Sequence, residues 1–495
     1  MKSTNKTLET NIREFWGIAN DPRTTDNRYA RMIAHFDLTD RHRLIPYRSV
    51  EDGDSSSSSN MITRYLYGNS RIYGLSTASG TSQKLFSRTD LTGAVWDTPS
   101  NTNVAGVPNG KLFVDYPRVG KLFWSLSAAV ASFKYSDSTY AASASAITAT
   151  AQGLVHSDDN VLYVPCTNVI AKNDNDSWNT SALTLPSEYT ITSLFEYGVD
   201  LGIACKPASG FGRSKIFLWD KTSTSWHRVI DWGEENLELA DIVSGALVGI
   251  STKINSSSFK GRIIFRDYTG GESANEPFLQ LVSSTSVTSQ TLWKQKAGDR
   301  LYFNLFITLD SVFWGGVWAL YRPGRGQSLA LTLDRLYRND ALNSSDVIQG
   351  FYIHDDYAFI SYTDGAASNA WKTSKTDDSN NFSITSVYES LILTGGDSSV
   401  VRKLVCATVT HEPLPSSGVV NLKHKGDAET SYTSVQQNSE NDSLSFTAVN
   451  MDTDLDGDVD TSTLPENAER QLRIESTGGA VITGVTLEER QLPGK

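Results

Sequence analysis

Alternating aspartates mark a short segment near the C-terminus as a metal-binding candidate. Carboxylates stand at every second position, and Gly457 occupies the sixth position of the series. This spacing is typical of the start of a calcium loop, because a hard cation prefers oxygen ligands that turn inward from alternate residues. Position twelve is Thr463, where a bidentate Glu is expected, so a solvated acidic loop is the alternative. The predicted calcium ligands are Asp452, Asp454, Asp456 and Asp458.

Large rings and arginines cluster in a second segment. The residues are Trp314, Trp318, Arg322 and Arg325. Together they could form a platform on which a sugar ring stacks or a partner protein binds. The alternative is that the rings fill the space between neighbouring sheets, where each buries a large apolar area.

Catalytic arrangements find little support in the remaining residues. Adjacent acidic residues, such as Asp158 and Asp159, point to opposite faces of a strand, so they are poor candidates for a cooperating acid and base. We interpret such pairs as solvated turn residues. The seven histidines show no metal-ligand spacing with one another or with cysteine, and no serine nucleophile elbow or phosphate-binding loop is present. The sequence therefore predicts no catalytic residues and no enzyme activity.

Composition limits the class of protein. The chain has 495 residues, and its 44 basic and 56 acidic residues give a net charge of -12, which disfavours binding to nucleic acid. No run of eighteen apolar residues predicts a membrane span, and the polar N-terminus predicts no signal peptide. Three widely spaced cysteines, Cys166, Cys205 and Cys406, fit buried thiols made in a reducing cytosol better than a disulfide framework.

Short β-type runs separated by turn residues dominate the chain and predict an all-β fold. A turn followed by an apolar triplet recurs seven times at a mean spacing of about 48 residues, the length of a four-stranded propeller blade. The triplets begin at Ile72, Leu122, Val161, Leu201, Ala246, Leu301 and Ala358. A second turn, followed by a ring such as Trp178 or Trp226, is interpreted as the outer hairpin of a blade. We predict a seven-bladed β-propeller, with six or eight blades as alternatives.

The residue pattern of the chain changes near residue 395. Beyond this point, alternating strands and an excess of acidic residues predict a β-sandwich, whereas residues 1–50 are net basic. The expected organisation is an extended N-terminal arm and linker at 1–60, a propeller at 61–394 and a sandwich at 395–495.

The order of these parts resembles that of tail-associated structural proteins of tailed bacteriophages. The arm leads into residues 33–40 (IAHFDLTD) and 44–48 (LIPYR), and residues 413–418 (PLPSSG) precede the first sandwich strand at 419–423. The resemblance implies a non-enzymatic virion protein of the tail, assembled in the host cytoplasm, that acts in tail assembly or as a rigid adaptor. Its partners would be copies of itself and neighbouring phage tail proteins, without nucleic acid and without membrane insertion.

A second function is also compatible with the sequence. A propeller of this kind could also be a receptor-binding protein that binds or cleaves glycans on the host surface. In that case the host surface receptor would be a further partner, and the Trp314 to Arg325 segment would be the expected contact.

Overall fold

The computed structural model describes most of the chain. The described residues are 7–18, 26–48, 62–76, 85–89, 108–136, 138–143, 147–209, 212–233, 236–253, 259–266, 279–283, 292–309, 312–321, 330–334, 347–354, 357–363, 382, 385–393, 401–426, 429–441, 443–448, 466–467 and 469–491. Within them the fold is all-β, and the only helical element is the 3-10 turn Pro117–Val119. No helix in this part of the chain has the length and apolar character needed to cross a membrane.

The strands are numbered in chain order. The N-terminal strands are β1 (Thr7–Ile12), β2 (Ala30–Ala34), β3 (Phe36–Asp37) and β4 (Ile45–Pro46). The next eleven are β5 (Ile62–Gly68), β6 (Arg71–Ser76), β7 (Leu85–Arg88), β8 (Phe113–Tyr116), β9 (Lys121–Ser125), β10 (Val130–Lys134), β11 (Thr139–Ser143), β12 (Leu154–His156), β13 (Val161–Cys166), β14 (Val169–Asp174) and β15 (Ser177–Thr184). They are followed by β16 (Tyr189–Tyr197), β17 (Asp200–Pro207), β18 (Ser214–Trp219), β19 (Arg228–Gly233), β20 (Asn236–Val243), β21 (Ala246–Lys253), β22 (Phe259–Arg266) and β23 (Leu279–Ser283).

The remaining strands complete the chain. They are β24 (Lys294–Ala297), β25 (Arg300–Leu309), β26 (Val312–Tyr321), β27 (Ala330–Asp334), β28 (Val347–His354), β29 (Tyr357–Thr363), β30 (Ser386–Ser390), β31 (Arg402–His411), β32 (Val419–Gly426), β33 (Thr433–Asn438), β34 (Ser445–Ala448), β35 (Glu466–Asn467), β36 (Arg470–Thr477) and β37 (Ile482–Gln491).

The chain divides into two compact units that interleave in sequence. Unit 1 contains Met1–Ser49, Trp318–Asp340 and Asp377–Lys495, and unit 2 contains Val50–Val317 and Ala341–Thr376. Unit 2 is therefore inserted between segments of unit 1. The bounds of these units differ from the expected arm at 1–60, propeller at 61–394 and sandwich at 395–495.

Unit 2 is built from consecutive antiparallel sheets. Four of them, β8–β11, β12–β15, β16–β19 and β20–β23, have four strands in chain order. The sheet β5–β7 precedes them, and β24–β26 and then β28–β29 follow them. Each sheet is a meander of short strands, as expected from a sequence in which β-type runs alternate with tight turns.

The repeated turns found in the sequence lie at the first hairpin of each sheet. Ser244 and Gly245 join β20 to β21 with φ values of 48° and 81°, and Asn69 and Ser70 join β5 to β6 with 47° and 57°. Two successive positive φ angles are the geometry of the tight hairpin turn whose twist matches the strands it joins. The repeat therefore identified one hairpin per sheet.

The sheets of unit 2 follow one another in a closed order. The innermost strands contact one another from β5 to β8, β12, β16 and β20. β20 then contacts β25 of the sixth sheet, the innermost strand β24 of that sheet contacts β28, and β28 contacts β5 again. An apolar cluster closes the circuit by packing Tyr65 and Ile72 of the first sheet against Phe359 of the last. A closed circuit of meander sheets is the arrangement of a β-propeller. The full blade count of seven stays a prediction, because the last sheet is described in two strands.

Aromatic side chains fill the spaces between neighbouring sheets. Trp178, at the outer hairpin of β14 and β15, meets Phe123 of the preceding sheet edge to face with centroids 5.7 Å apart. Tyr163 and Trp219 make a similar contact between the third and fourth sheets at 5.9 Å. This agrees with the interpretation of the second sequence marker as an outer hairpin, since each ring buries a large apolar area between blades.

Unit 1 is a sandwich of two sheets that draws strands from both ends of the chain. One sheet has the order β1-β37-β31-β34, with β35 beside β31, and the other contains β27-β2-β30-β36-β32-β33. Thr7–Ile12 runs antiparallel to β37, and β2 lies between β27 and β30. The segment expected to form an extended N-terminal arm thus supplies strands to this unit, and its apolar residues Ile33 and Phe36 are buried.

Burial of the three thiols supports a prediction about their reactivity. Cys205 is fully buried and its pKa lies well above the usual value, while burial raises the pKa of Cys166 and Cys406 to about 11. Because the thiolate is the nucleophile, native cysteines should react with iodoacetamide at pH 8 about a hundredfold more slowly than in urea. Mass spectrometry of the labelled peptides checks this, and rapid native labelling of any one site would contradict it.

Candidate functional site

A cavity of about 400 Å³ lies among the inner strands of unit 2. All seven sheets line it, through Tyr65, Phe113, Leu154, Phe195, Asp241, Lys294 and Tyr352. Its wall combines aromatic rings with carboxylates, ammonium groups and amides. Pockets with a few convergent polar groups in an apolar wall are the usual place for a binding site, so this cavity is the candidate site.

A buried ion pair is the main electrostatic feature of the cavity. The Lys294 Nζ lies 2.6 Å from Asp241 Oδ2, and both residues are less than a tenth exposed. The ammonium also donates to the carbonyl oxygens of Leu194 and Ala240 at 2.8 and 2.7 Å. Burial lowers the pKa of Lys294, and Asp241 opposes this shift. One lysine on β24 therefore binds groups on β16 and β20 at once.

Asp241 has further partners besides Lys294. Its Oδ1 accepts the backbone N–H of Ile242 at 2.8 Å, and the exposed Lys296 Nζ lies 3.8 Å away. Both of its carboxylate oxygens therefore already have partners within the chain. Asp241 therefore fits a structural role better than that of a general base.

Two glutamines extend this bonding around the cavity. Gln152, just before β12, donates from Nε2 to the carbonyl of Lys294 at 2.8 Å and accepts the Lys294 N–H at 3.3 Å. Gln295 makes the same pair of bonds with the backbone of Ile353 in β28. A side-chain amide bound to both the backbone N–H and the carbonyl oxygen of one residue reproduces the pattern of a paired strand. The amides therefore connect sheets that share no backbone pairing.

An arginine in the first sheet likewise binds segments outside its own sheet. Arg64 is buried, donates to the carbonyls of Gly110 and Thr63, and lies over the ring of Trp293 at 4.6 Å. Burial lowers the pKa of Arg64 to about 10. The guanidinium of Arg64 thus connects the first sheet with the segments that lead into β8 and β24. We call Arg64, Gln152, Asp241, Lys294 and Gln295 the axial polar set.

A second polar network joins the third and fourth sheets. The Lys221 Nζ lies 2.8 Å from Asp158 Oδ2 and 3.4 Å from Asp159 Oδ2, and its hydrogen bond lowers the pKa of Asp158. His156 places Nε2 at 3.0 Å from the Asp200 carbonyl, while its Nδ1 accepts the Asp158 N–H. Both ring nitrogens of His156 thereby have a partner. The acidic pair lies in a turn as predicted, but Lys221 binds it where the sequence suggested only solvation.

Among the site residues selected from the sequence, only Trp318 has a described side chain. Trp318 is fully buried in β26, so its ring presents no face to a sugar and the predicted contact is unavailable there. Trp314 belongs to the same strand, but its side chain, like Arg322 and Arg325, lies outside the described residues. The predicted calcium ligands Asp452, Asp454, Asp456 and Asp458 also lie outside them. Among the described residues, no three His, Cys, Asp or Glu side chains gather as metal ligands.

The sequence reasoning missed the axial polar set, although a signal for its location was present. Asp241, Lys294 and Gln295 each stand two to four residues before one of the repeated turns. The strand before that turn is the innermost strand of its sheet. Polar residues in an otherwise apolar inner strand could therefore have been selected as axis-facing, whereas their partners depend on the three-dimensional closure.

No protein family model matches the chain, and no curated protein matches it. Solved structures of low similarity include the WD40 β-propeller domain of Doa1, at 8% identity and a TM-score of 0.44, over 68% of this chain and 99% of that one. The Dos1 propeller gives 11% and 0.38 over 70% and 92%, and Kuenenia stuttgartiensis hydrazine synthase gives 16% and 0.35 over 53% and 76%. At these values none of them assigns an activity, and the fold described above rests on the strand order of this chain.

Proposed function

We propose that the protein is a non-enzymatic structural component of a bacteriophage tail, in which unit 2 serves as a rigid adaptor. The observation that carries this proposal is the use of the axial polar set. Its charged groups and amides bind neighbouring sheets of the same chain, where a catalytic centre would direct them toward a substrate. A satisfied polar network holds its members in one arrangement, which suits a part that must keep its shape under load.

The arrangement of strands also suits an assembly component. A closed circuit of sheets leaves few exposed strand edges, so the ring would resist unwanted pairing with other chains. The expected partners are copies of itself and neighbouring tail proteins in the virion, with assembly in the host cytoplasm. The tail as the location rests on the sequence resemblance carried by residues 33–40, 44–48 and 413–418.

Immunogold electron microscopy tests this proposal. Antibodies to the purified chain would be applied to tailed particles from the host that produces it. We expect label at one fixed position on each tail and no label on particles from a strain lacking the gene. Abundant protein in the lysate with unlabelled particles would contradict the proposal.

A second candidate, a receptor-binding protein for host glycans, is favoured by one feature. The cavity of about 400 Å³ is large enough for a small sugar, and aromatic rings such as Tyr352 line it beside the exposed Lys296. A glycan array would show saturable binding that Tyr352→Ala abolishes. The control is Lys215→Ala, because this lysine lies over Tyr189 and does not line the cavity.

A further inference from the structure

A small basic pocket lies in the larger sheet of unit 1. It has a volume of about 100 Å³, and three strands supply its cationic residues: Arg31 from β2, Lys425 from β32 and Arg470 from β36. Ile392 lies on its wall, and its exposed fraction is 47%. Glu469 is the one acidic residue that lines the pocket within the described part of the chain.

Buried charge behind the pocket adds to its positive character. Arg470 is 1% exposed, and its Nε donates to Glu489 Oε1 at 3.0 Å. The other oxygen of Glu489 faces Arg402 Nε at 3.7 Å, and Arg402 is equally buried. Two guanidiniums therefore share one carboxylate in a region of low dielectric, where charge interactions are strong. The pKa of nearby His424 is lowered, first by burial and then by the charge of Arg470.

Neighbouring lysines on β32 differ in their partners. Lys423 and Lys425 lie two residues apart and so point to the same face of the strand. The Lys423 Nζ is bound to Glu475 at 2.7 Å, whereas Lys425 lines the pocket with its Nζ 5.4 Å from the ring of Tyr432. Two lysines on one face of the strand therefore differ in their surroundings: Lys423 pairs with a carboxylate, and Lys425 lines the pocket. Burial raises the pKa of the Glu389 carboxyl, and the charges of Lys425 and Arg31 also act on this carboxyl and oppose the rise.

We propose that this pocket binds a single oxyanion group, either a carboxylate or a phosphate. Guanidinium forks match the geometry of both groups and bind them through two parallel hydrogen bonds. The volume is sufficient for one such group with about one water, since a water occupies roughly 30 Å³ of liquid. In a chain of net charge -12, a pocket lined by three cationic residues is a local positive site that attracts an anion.

Isothermal titration with inorganic phosphate and with acetate, at constant ionic strength, tests the proposal. We expect saturable binding of one ion per chain, weakened about tenfold by Lys425→Gln through loss of a charge-assisted bond. Arg31→Gln should weaken binding in the same way. The matched control Lys423→Gln should leave it within twofold, because it removes an equal charge from the same face of the strand.

The two probes distinguish the source of the anion. Saturable phosphate binding without acetate binding would identify a phosphate or similar ester, and acetate binding would identify an acidic side chain of a protein partner. Either result supports the pocket. Absence of saturable binding to both ions, or equal losses from Lys425→Gln and Lys423→Gln, would overturn it, because the second outcome describes diffuse attraction. The outcome is independent of a role in a phage tail.

Discussion

Replacing Lys294 by Met is expected to destabilise unit 2 by about 3–5 kcal/mol, the usual effect of removing one partner of a buried ion pair. Asp241, 4% exposed, would be left charged with only a distant lysine beside it. The carbonyls of Leu194 and Ala240 would also lose their common donor. Urea unfolding followed by circular dichroism of the β-sheets measures the change.

Two further variants isolate the cause of this loss. Lys296→Met removes an exposed ammonium 3.8 Å from the same carboxylate, and it should change stability by less than about 1 kcal/mol. In Lys294→Met with Asp241→Leu the unpaired charge is absent, so we expect stability within about 2 kcal/mol of the natural chain, the remaining cost coming from the two carbonyls. Equal losses of stability from Lys294→Met and Lys296→Met would show that the buried ion pair contributes little to the stability of unit 2.

Gly350→Ala should destabilise unit 2 by about 3 kcal/mol or more, at the upper end of overpacking effects. Gly350 lies in β28, and an added Cβ would stand 2.0 Å from the Thr63 carbonyl oxygen and 3.3 Å from the Arg64 nitrogen in β5. Both are backbone atoms, so relief requires the first and last sheets to separate. Thermal unfolding of the variant checks the expected loss.

Gly245→Ala provides the control for this substitution. Its Cβ would meet nothing within 4 Å, but its φ of +81° is unfavourable for alanine. The expected cost is about 1–2 kcal/mol from the backbone alone. If Gly350→Ala costs no more than Gly245→Ala, the close approach of β28 and β5 is not a constraint on the ring.

The repeated turns made the sheets of unit 2 predictable from the sequence. A hairpin with two positive φ angles demands small or polar residues, and the second strand of the sheet, which follows the turn, demands apolar ones, so each sheet carries the same local signature. Asp174 to Trp178 shows the same principle at an outer hairpin, where Asn175 and Asp176 have positive φ and the ring of Trp178 packs on Phe123.

The division into units could not be predicted because it depends on distant pairing. Thr7 lies opposite Arg490 across β1 and β37, nearly the whole length of the chain. Nothing in the local pattern of residues 7–12 distinguishes a strand of the sandwich from a free arm, since both are polar and extended. Interleaving of this kind arises from tertiary contacts that local patterns do not encode.

The candidate site was missed for a related reason. Lysine is usually exposed, so Lys294 between Trp293 and Gln295 gave no sign of burial. Its burial becomes favourable because Asp241, 53 residues earlier in the chain, is brought to 2.6 Å by the closed order of the sheets. In contrast, Trp318 was selected for its type alone, and it lies in the interior.

Hydrogen exchange of the full chain tests the closed ring most directly. In an open array the terminal sheets unfold first, whereas in a closed ring each sheet has two neighbours and the sheets open together. We predict that the slowest amides of β6 and β29, in the first and last sheets, exchange at rates within about tenfold of the slowest amides of β17 in the fourth sheet. If β6 and β29 exchange more than about a hundredfold faster than β17, the ring is open in solution and the account of a rigid adaptor is wrong.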